Sequence, residues 1–406
     1  MGLRLCRLPR FLRARNLNSI LMGCSAMKWV FLLAAAGVFC APCCNATVKE
    51  AFFKNPVTDL TSKPLSKCGI LSGFVKTYSP ENNGCIRTMQ GLYGEQFDVI
   101  EEDETADHVC VELSHCFYLL DGVQKSSYWA KRDDIIFVDD IKEKNNDFVL
   151  PDPITYTNPS SMDLNTVATL CEPWVDSETK TTYSAGTRFS TFSKQAIEGK
   201  GLPLLKSEML KDGLGRRAAF VALLKKWAEN EQGIIPYVWG GGSYTVRVAK
   251  QGFVQKIDLK KDGEKEVKVG YWARPDIQGD PSGFDCSMLL LRAAQLCKIK
   301  YFCRTTATIP SVLTEMGKDA QICPGDILWV NGHVMAFSDD DSMIAAESYS
   351  PGYGSVCKTP IFKRFKGLST CNDLAKLYAE KGLLTFLSAK GEASKPREFK
   401  IFKLPV

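Results

Sequence analysis

The feature that most constrains this chain is a short turn that carries a cysteine and runs directly into an apolar helical pattern. The turn is Gly283–Ser287 (Gly-Phe-Asp-Cys-Ser), and apolar side chains recur at helical spacing from there to Cys297. Asp285 is a residue type that caps helices, so Cys286 is predicted to begin the helix. At that position the helix dipole favours a thiolate, and free backbone N–H groups can hold an oxyanion. The turn therefore predicts a nucleophilic cysteine.

The second chemical clue is His333, the only histidine in the second half of the chain. Ile327–Val330 is a predicted strand, Asn331 and Gly332 form a predicted hairpin turn, and His333 begins the return strand. An imidazole that takes the proton of a thiol makes that thiol a hydrolytic nucleophile. In isolation, a cysteine and a histidine are more often a buried thiol and an incidental imidazole. The flanking turns and helix favour a cysteine hydrolase.

Four short blocks around these residues resemble, in order, the blocks of the NlpC/P60 papain-like cell-wall peptidases. The blocks are Pro236–Gly242, Gly283–Ser287, Pro324–Trp329 and Gly332–Val334. The resemblance covers roughly residues 213 to 350. It implies an α+β fold with a papain-like catalytic domain, which we assign to residues 213–406.

The same resemblance implies a role for each matched side chain. Cys286 is implied as the nucleophile and His333 as the general base. The residues implied to contact the substrate or its oxyanion are Tyr237, Trp239, Asp285 and Ser287. The implied reaction is hydrolysis of peptidoglycan stem peptides at the γ-D-glutamyl to diamino acid bond, with no cofactor and no metal ion.

One departure from the family is the long separation between the tyrosine block and the cysteine block. Tyr237 and Cys286 lie much further apart than their counterparts in the family. An insertion of about residues 243–280 explains the gap. Apolar residues alternate on both sides of Asp262 and Gly263, which predicts a β-hairpin. We expect this hairpin to rim the cleft.

A second departure concerns the polar residue that orients the imidazole. In the family it lies about 12 positions after the base, where this chain has Ala345. Glu347 is the first residue on the same strand face that can accept the hydrogen bond, so we predict it as the orienting residue. A surface glutamate at a strand end is an alternative interpretation. Loss of the usual residue also allows a weaker, a water-bridged or an inactive site.

Short strand patterns separated by turns fill residues 60–145 and predict a small β-barrel. The segments Glu95–Ile100 and Val109–Glu112 resemble bacterial SH3 modules, which often precede NlpC/P60 domains. Residues 150–205 repeat the pattern, so a second, shorter SH3-like module is predicted there. The prolines of the predicted linker are Pro151, Pro153 and Pro159.

Residues 1–46 are predicted to be a targeting segment. Lys28 precedes the apolar run Trp29–Phe39, which is too short to span a bilayer, and small residues around Ala46 suit cleavage. We expect export across the inner membrane, a periplasmic or cell-envelope location and no stable membrane span. A lipoprotein is the alternative, although Cys24 lacks the preceding apolar run that lipidation requires.

Eleven of the 16 cysteines follow Ala46. Without Cys286 ten remain, which permits up to five disulfides in an oxidising compartment or, for some of them, buried thiols. No pair of cysteines has the twin C-x-x-C spacing of a zinc site. The ligand types that lie close together in sequence are His108, Cys110, His115 and Cys116, and we expect no metal there.

The charge balance excludes one large class of partner. The chain has 51 Lys and Arg against 46 Asp and Glu, a net charge of +5, and five of the arginines lie within the first 15 residues. Such a balance predicts no nucleic-acid surface. The expected partners are peptidoglycan or its stem-peptide fragments, and the expected state is a monomer.

Two other functions stay open. A catalytically silent protein could use the SH3-like modules to bind the cell wall, and Ala345 in place of the usual orienting residue supports this alternative. Retention of Cys286 and His333 within all four blocks favours the enzyme. A related acyltransferase or amidase that acts on a different amide is the third possibility.

Overall fold

The computed structural model describes residues 48–80, 86–114, 116–120, 123–144, 167–190, 201–205, 207–229, 231–301 and 303–406. The predicted targeting segment, the linker prolines and His115 lie outside the described residues. From Ala46 to Val406 the chain groups into one unit. It is a mixed α and β fold built on several antiparallel sheets. No helix among the described residues is long and apolar enough to cross a membrane.

The N-terminal part of the described chain is made of short strands. They are β1 (Lys49–Phe53), β2 (Val57–Thr61), β3 (Ser79–Pro80), β4 (Arg87–Leu92), β5 (Gln96–Glu102), β6 (His108–Glu112), β7 (Tyr118–Leu120), β8 (Val123–Lys125), β9 (Ser127–Lys131) and β10 (Ile135–Phe137). Seven of these strands form one sheet in the order β10-β1-β5-β6-β9-β2-β4. The sheet ends at β10 and β4 and does not close, so the predicted SH3-like barrel is not shown. The remaining strands pair elsewhere, β7 with β8 and β3 with the insertion described below.

The region of the second predicted module holds two small sheets. Its strands are β11 (Val167–Thr169), β12 (Trp174–Val175), β13 (Thr182–Tyr183) and β14 (Arg188–Ser190). β11 pairs with β14 and β12 with β13. Aromatic rings pack between them, with Tyr183 edge-on to Phe189 at 5.1 Å. These described strands form no barrel.

The insertion between the tyrosine and cysteine blocks is the predicted hairpin. Its strands are β15 (Val254–Asp262) and β16 (Lys265–Ala273), joined by a two-residue turn. The outer part of the hairpin is exposed. At its base, β16 pairs with β3 of the N-terminal part, with Trp272 opposite Ser79.

The C-terminal sheet carries the region of the predicted site. Its strands are β17 (Ile327–Val330), β18 (His333–Phe337), β19 (Ser342–Glu347), β20 (Ser355–Pro360) and β21 (Phe399–Phe402), in the order β20-β19-β18-β17-β21. Successive side chains along a strand point to opposite faces. Val334 and Ala336 therefore belong to one buried core, whereas Met335 and Phe337 belong to another.

The described residues form six helices, several of which supply residues to these cores. They are α1 (Val138–Lys144), α2 (Gly213–Ala228), α3 (Cys286–Leu296), α4 (Ile309–Val312), α5 (Ile361–Arg364) and α6 (Cys371–Ala379), and short 3₁₀ turns span Leu65–Lys67, Gly69–Phe74, Arg132–Asp134 and Ser207–Leu210. α3 packs against β18, β19 and α2. All of its residues are buried, including Arg292 and Gln295. A helix buried on every side is a central element, which fixes the position of its first residue, Cys286.

Buried polar contacts join the N-terminal sheet to this central helix. Arg292 of α3 forms an ion pair with Glu95, and both side chains are only 1% exposed. Gln90 of β4 accepts hydrogen bonds at its Oε1 from the Gly242 N–H at 3.1 Å and the Ser243 hydroxyl at 2.7 Å. A buried polar group without its partner is costly. These contacts therefore hold the N-terminal sheet firmly against the region of the predicted site.

We expect Gln90→Ala to lower the free energy of unfolding by about 2 kcal/mol, because it leaves the buried Gly242 N–H without its acceptor and removes the hydrogen bond from the Ser243 hydroxyl. Urea denaturation followed by circular dichroism measures the change. Gln124→Ala is the matched control, since Gln124 is exposed on β8. A loss no larger than that of the control would contradict the idea that this junction stabilises the fold.

The structure shows free thiols at the ten cysteines that it describes. None of them forms a disulfide. Burial raises the pKa of several of these thiols, for example that of Cys110 to about 12 and that of Cys357 to about 12. Within the described residues, the predicted cysteine framework therefore consists of thiols rather than cross-links.

Candidate active site

The start of α3 holds Cys286 at the edge of a cavity. Asp285 caps the helix, since its Oδ1 accepts a hydrogen bond from the Met288 N–H at 2.8 Å. The preceding Gly283 lies so close to another segment that an added Cβ would sit 2.2 Å from the carbonyl oxygen of Pro236. Only glycine allows this approach. Cys286 is 9% exposed and lines the cavity.

Asp285 and Ser287 lie beneath the helix start, where a buried arginine holds them. Nη2 of Arg304 donates to Oδ2 of Asp285 at 2.9 Å, and its Nη1 donates to the Ser287 hydroxyl at 3.0 Å. Arg304 also donates to the carbonyl of Thr88 on β4. Neither Asp285 nor Ser287 lines the cavity. This geometry makes both residues supports of the cysteine, and their predicted contact with substrate stays a prediction.

His333 stands at the start of β18, opposite Glu347 at the end of β19. The two strands pair with Ala336 opposite Ile344. Continuing this antiparallel register toward the start of β18 brings His333 opposite Glu347. Nε2 of His333 lies 3.3 Å from Oε1 of Glu347, although the N–H is not aligned for a good hydrogen bond. Ala345, at the usual family position, is buried in the hydrophobic core.

His333 contacts Cys286 as well as Glu347. The Cys286 sulfur lies near enough to the imidazole to contribute to the raised pKa of His333. Since Nε2 faces Glu347, Nδ1 is the ring nitrogen that remains for Cys286. Burial lowers the pKa of His333, but the Glu347 carboxylate and Cys286 outweigh burial and raise this pKa to about 10. The structure therefore brings the three predicted residues together with a protonated imidazole between them.

An arginine that the sequence did not indicate completes the group. Nη2 of Arg364 lies 2.8 Å from Oε1 and 2.9 Å from Oε2 of Glu347, and both side chains are buried. Burial raises the pKa of Glu347, but His333 and Arg364 outweigh burial and hold this pKa below its ordinary value. Arg364 is fixed in turn by the carbonyl of Leu387 at 2.6 Å and the ring of Phe386 at 4.8 Å. Glu347 is therefore a fixed carboxylate and not a surface residue.

Tyr237 and Trp239 also line the cavity. Tyr237 is 5% exposed, and burial, with the nearby Cys286 and Asp285, raises the pKa of its phenol well above the ordinary value. The phenol therefore keeps its proton and can donate a hydrogen bond. Trp239 is 45% exposed and offers its ring to solvent at the rim.

The cavity has a volume of about 800 Å³ and three kinds of wall. The N-terminal part contributes Ser79 and Pro80, and the inserted hairpin contributes Trp272. The remaining wall consists of the β19–β20 connection and a C-terminal segment. Its residues are Ser348, Tyr349, Ser350, Pro351, Phe386, Leu387, Ser388, Glu392, Ala393, Ser394, Lys395 and Arg397. Trp272 therefore places the base of the inserted hairpin at the cavity.

Within the described residues, no group of three or more His, Cys, Asp or Glu side chains is arranged to hold a metal ion. His108 of the predicted cluster is 8% exposed, and its Nδ1 lies 3.6 Å from Asp103. Cys110 and Cys116 are buried thiols.

Comparisons with known proteins find solved structures that are similar to this chain at low sequence identity. No protein-family model matches this chain, and no curated protein sequence matches it. A solved NlpC/P60 family protein from Bacillus cereus is similar at 14% identity and a TM-score of 0.41, over 77% of this chain and 94% of that chain. NlpC2 from Trichomonas vaginalis is similar at 13% identity and a TM-score of 0.29, over 78% and 93%. The peptidoglycan hydrolase RipB from Mycobacterium tuberculosis is similar at 20% identity and a TM-score of 0.22, over 41% and 72%.

Proposed function

We propose that this chain is a cysteine peptidase of the NlpC/P60 type. Cys286 is the nucleophile, His333 the general base and Glu347 the residue that orients His333. The observation that carries the proposal is the series of contacts from Cys286 through His333 to Glu347 at a solvent-accessible cavity. A thiol, an imidazole and a carboxylate in this order are the parts that nucleophilic acyl transfer requires.

The mechanism begins from an ion pair. The raised pKa of His333 keeps the imidazole protonated at neutral pH. An imidazolium beside a thiolate favours the charged form, which is the nucleophilic form of a cysteine. The thiolate attacks the carbonyl carbon of the scissile amide. The negative charge that develops on the carbonyl oxygen is held by backbone N–H groups at the start of α3 and by the Tyr237 hydroxyl.

The tetrahedral intermediate then collapses. The C–N bond breaks as His333 gives its proton to the leaving amine, and a thioester on Cys286 remains. Neutral His333 takes a proton from water, and the resulting hydroxide attacks the thioester. The carboxyl product leaves, and the thiolate of Cys286 and the protonated His333 are restored.

The proposed substrate class follows from the resemblance of the four sequence blocks to those of the NlpC/P60 peptidases. We infer that the chain cuts peptidoglycan stem peptides at the γ-D-glutamyl to diamino acid bond, in the periplasm or cell envelope and as a monomer. A cavity of about 800 Å³ is large enough for a short peptide. The N-terminal part of the described chain, which we propose as a modified SH3-like module, supplies Ser79 and Pro80 of β3 to the cavity wall. This placement favours a module that narrows the cleft over a module that binds the cell wall away from the cleft.

The test is mass spectrometry of the purified protein incubated with L-Ala-γ-D-Glu-diaminopimelate peptides and, separately, with intact sacculi. Release of L-Ala-γ-D-Glu supports the proposal, and protein first treated with iodoacetamide should release none. Cleavage of fragments alone would indicate recycling of wall peptides, whereas cleavage of sacculi would indicate remodelling. No cleavage of either substrate by fully reduced protein would overturn the peptidase.

The catalytically silent binding protein loses its main support. That alternative depended on Ala345 at the usual position of the orienting residue. Glu347 lies opposite His333 instead, at 3.3 Å from the imidazole. The geometry therefore favours the enzyme.

A further inference from the structure

The segment of residues 384–397, here called the C-terminal hairpin, forms one wall of the cavity. Isolated bridges pair Leu384 with Arg397 and Leu387 with Ala393. The Ala389 N–H donates to the carbonyl of Pro351 at 2.8 Å, which ties the hairpin to the β19–β20 connection. Arg364 donates to the carbonyl of Leu387 at 2.6 Å. The arginine that fixes Glu347 therefore also fixes this hairpin.

The C-terminal hairpin presents two cationic side chains to the cavity. Lys395 and Arg397 both line it and are exposed. They are two positions apart in the chain, and both side chains line the same cavity. Neither makes an ion pair with an acidic side chain of the described residues. The acidic residue of the same hairpin that lines the cavity is Glu392, which leaves this wall with an excess of positive charge.

The inserted hairpin and the β19–β20 connection contribute aromatic rings to the cavity. Trp272 stacks on Tyr349 with ring centroids 5.0 Å apart, and the exposed ring of Trp239 lies at the rim. A ligand that fills the cavity thus meets aromatic surfaces as well as cations. A peptide with a free carboxylate matches this combination, because a planar guanidinium and an ammonium bind carboxylates well.

We propose that Lys395 and Arg397 form a carboxylate-binding subsite, which selects peptides that carry a free carboxylate near the scissile bond. The selection of such peptides rests on the proposed peptidase function. The attraction of anions by the two cations does not, because an anion that approaches Cys286 meets the same two cations whether or not the protein cleaves a peptide.

The first experiment compares alkylation of Cys286 by iodoacetate and by iodoacetamide, which differ chiefly in charge. Mass spectrometry of the Cys286 peptide in the full-length protein gives both rates. We expect the iodoacetate to iodoacetamide rate ratio to fall about three- to tenfold in the double variant Lys395→Ala/Arg397→Ala at low ionic strength. Lys390→Ala is the matched control, since Lys390 is exposed on the same hairpin but does not line the cavity.

Salt provides a second control, since about 1 M salt should reduce the wild-type ratio toward that of the double variant. Equal ratios in the wild type, the double variant and Lys390→Ala would overturn the subsite. An equal decrease of the rate ratio in Lys390→Ala would also overturn the subsite, because the effect would then come from the overall charge of the hairpin.

The second experiment uses pairs of peptides that differ only in a carboxylate or a carboxamide beside the scissile bond. We expect the wild type to prefer the carboxylate at least about fivefold in kcat/KM, and the double variant to lose that preference. Cleavage with no preference would overturn the subsite and leave the peptidase intact. Absence of any cleavage would overturn the peptidase, and the alkylation ratio would still decide whether the subsite exists.

Discussion

Cys286→Ala is expected to lower kcat/KM for peptide hydrolysis by at least about 10⁴-fold, because no other group at the site can form the thioester. Among the described cysteines, only Cys286 lines the cavity. The measurement is release of the peptide product by the variant and the wild type at equal concentration. Residual cleavage at a substantial fraction of the wild-type rate would show that another group attacks the substrate.

Cys323→Ala is the matched control for this prediction. Cys323 is partly exposed in the turn before β17 and lies outside the cavity. We expect this variant to keep wild-type activity. Both variants should keep the far-ultraviolet circular dichroism of the wild type, because each removes one sulfur atom and leaves the backbone hydrogen bonds in place. A folded Cys286→Ala protein without activity then isolates the chemical role of the thiol.

Local patterns in the sequence were sufficient to predict the structural setting of Cys286. The helix that begins at Cys286, its Asp285 cap and the inserted hairpin are all present in the structure. Each depends on residues close together in the chain, where capping and alternation carry the information. Glu347 could also be predicted from the sequence, because one antiparallel hairpin fixes the register between it and His333.

Long-range polar pairs were not predictable in this way. Arg364 contacts Glu347, Arg304 supports Asp285, and Arg292 pairs with Glu95 across the interface between the two halves of the unit. Each pair joins elements whose relative position depends on packing of the whole core, and an arginine at any one of these positions has no local signature.

The SH3-like barrel illustrates the same limit for strands. Alternation identified β5 and β6 as strands, but alternation alone does not choose the partners of a strand. β3 pairs with β16 of the insertion, far along the chain, and β7 pairs only with β8. The strands that a closed barrel would have needed are therefore engaged elsewhere, and one of them helps to build the cavity wall.

The charge on Glu347 should control the pH range of activity. The pKa of His333 is raised to about 10 by Glu347 and Cys286. The imidazolium that we propose to protonate the leaving amine therefore persists until the pH approaches 10, and activity should decline only above that range. In Glu347→Gln the neutral amide no longer stabilises the imidazolium. We expect the alkaline limb of the kcat/KM profile to move toward the ordinary histidine pKa near 6.5, and kcat/KM at neutral pH to fall about 10²- to 10⁴-fold.

Glu392→Gln is the matched control, since Glu392 lines the same cavity and makes no contact with His333. Glu392→Gln removes the same charge and should leave the alkaline limb of the kcat/KM profile at the wild-type pH. An unchanged limb in Glu347→Gln would contradict the role of Glu347 as the partner of the imidazole.

Folding stability gives an independent readout of the same pair, one that needs no substrate. His333 has a higher pKa in the folded state than in the unfolded chain, so its contribution to stability is complete below about pH 6.5 and is lost as the pH rises toward 10. The free energy of unfolding of the wild type should therefore decrease across this window, and that of Glu347→Gln should decrease less. Urea titrations at pH values from 6 to 10 measure both slopes. Parallel slopes in the two proteins would mean that Glu347 does not hold the proton on His333, whatever the activity assays show.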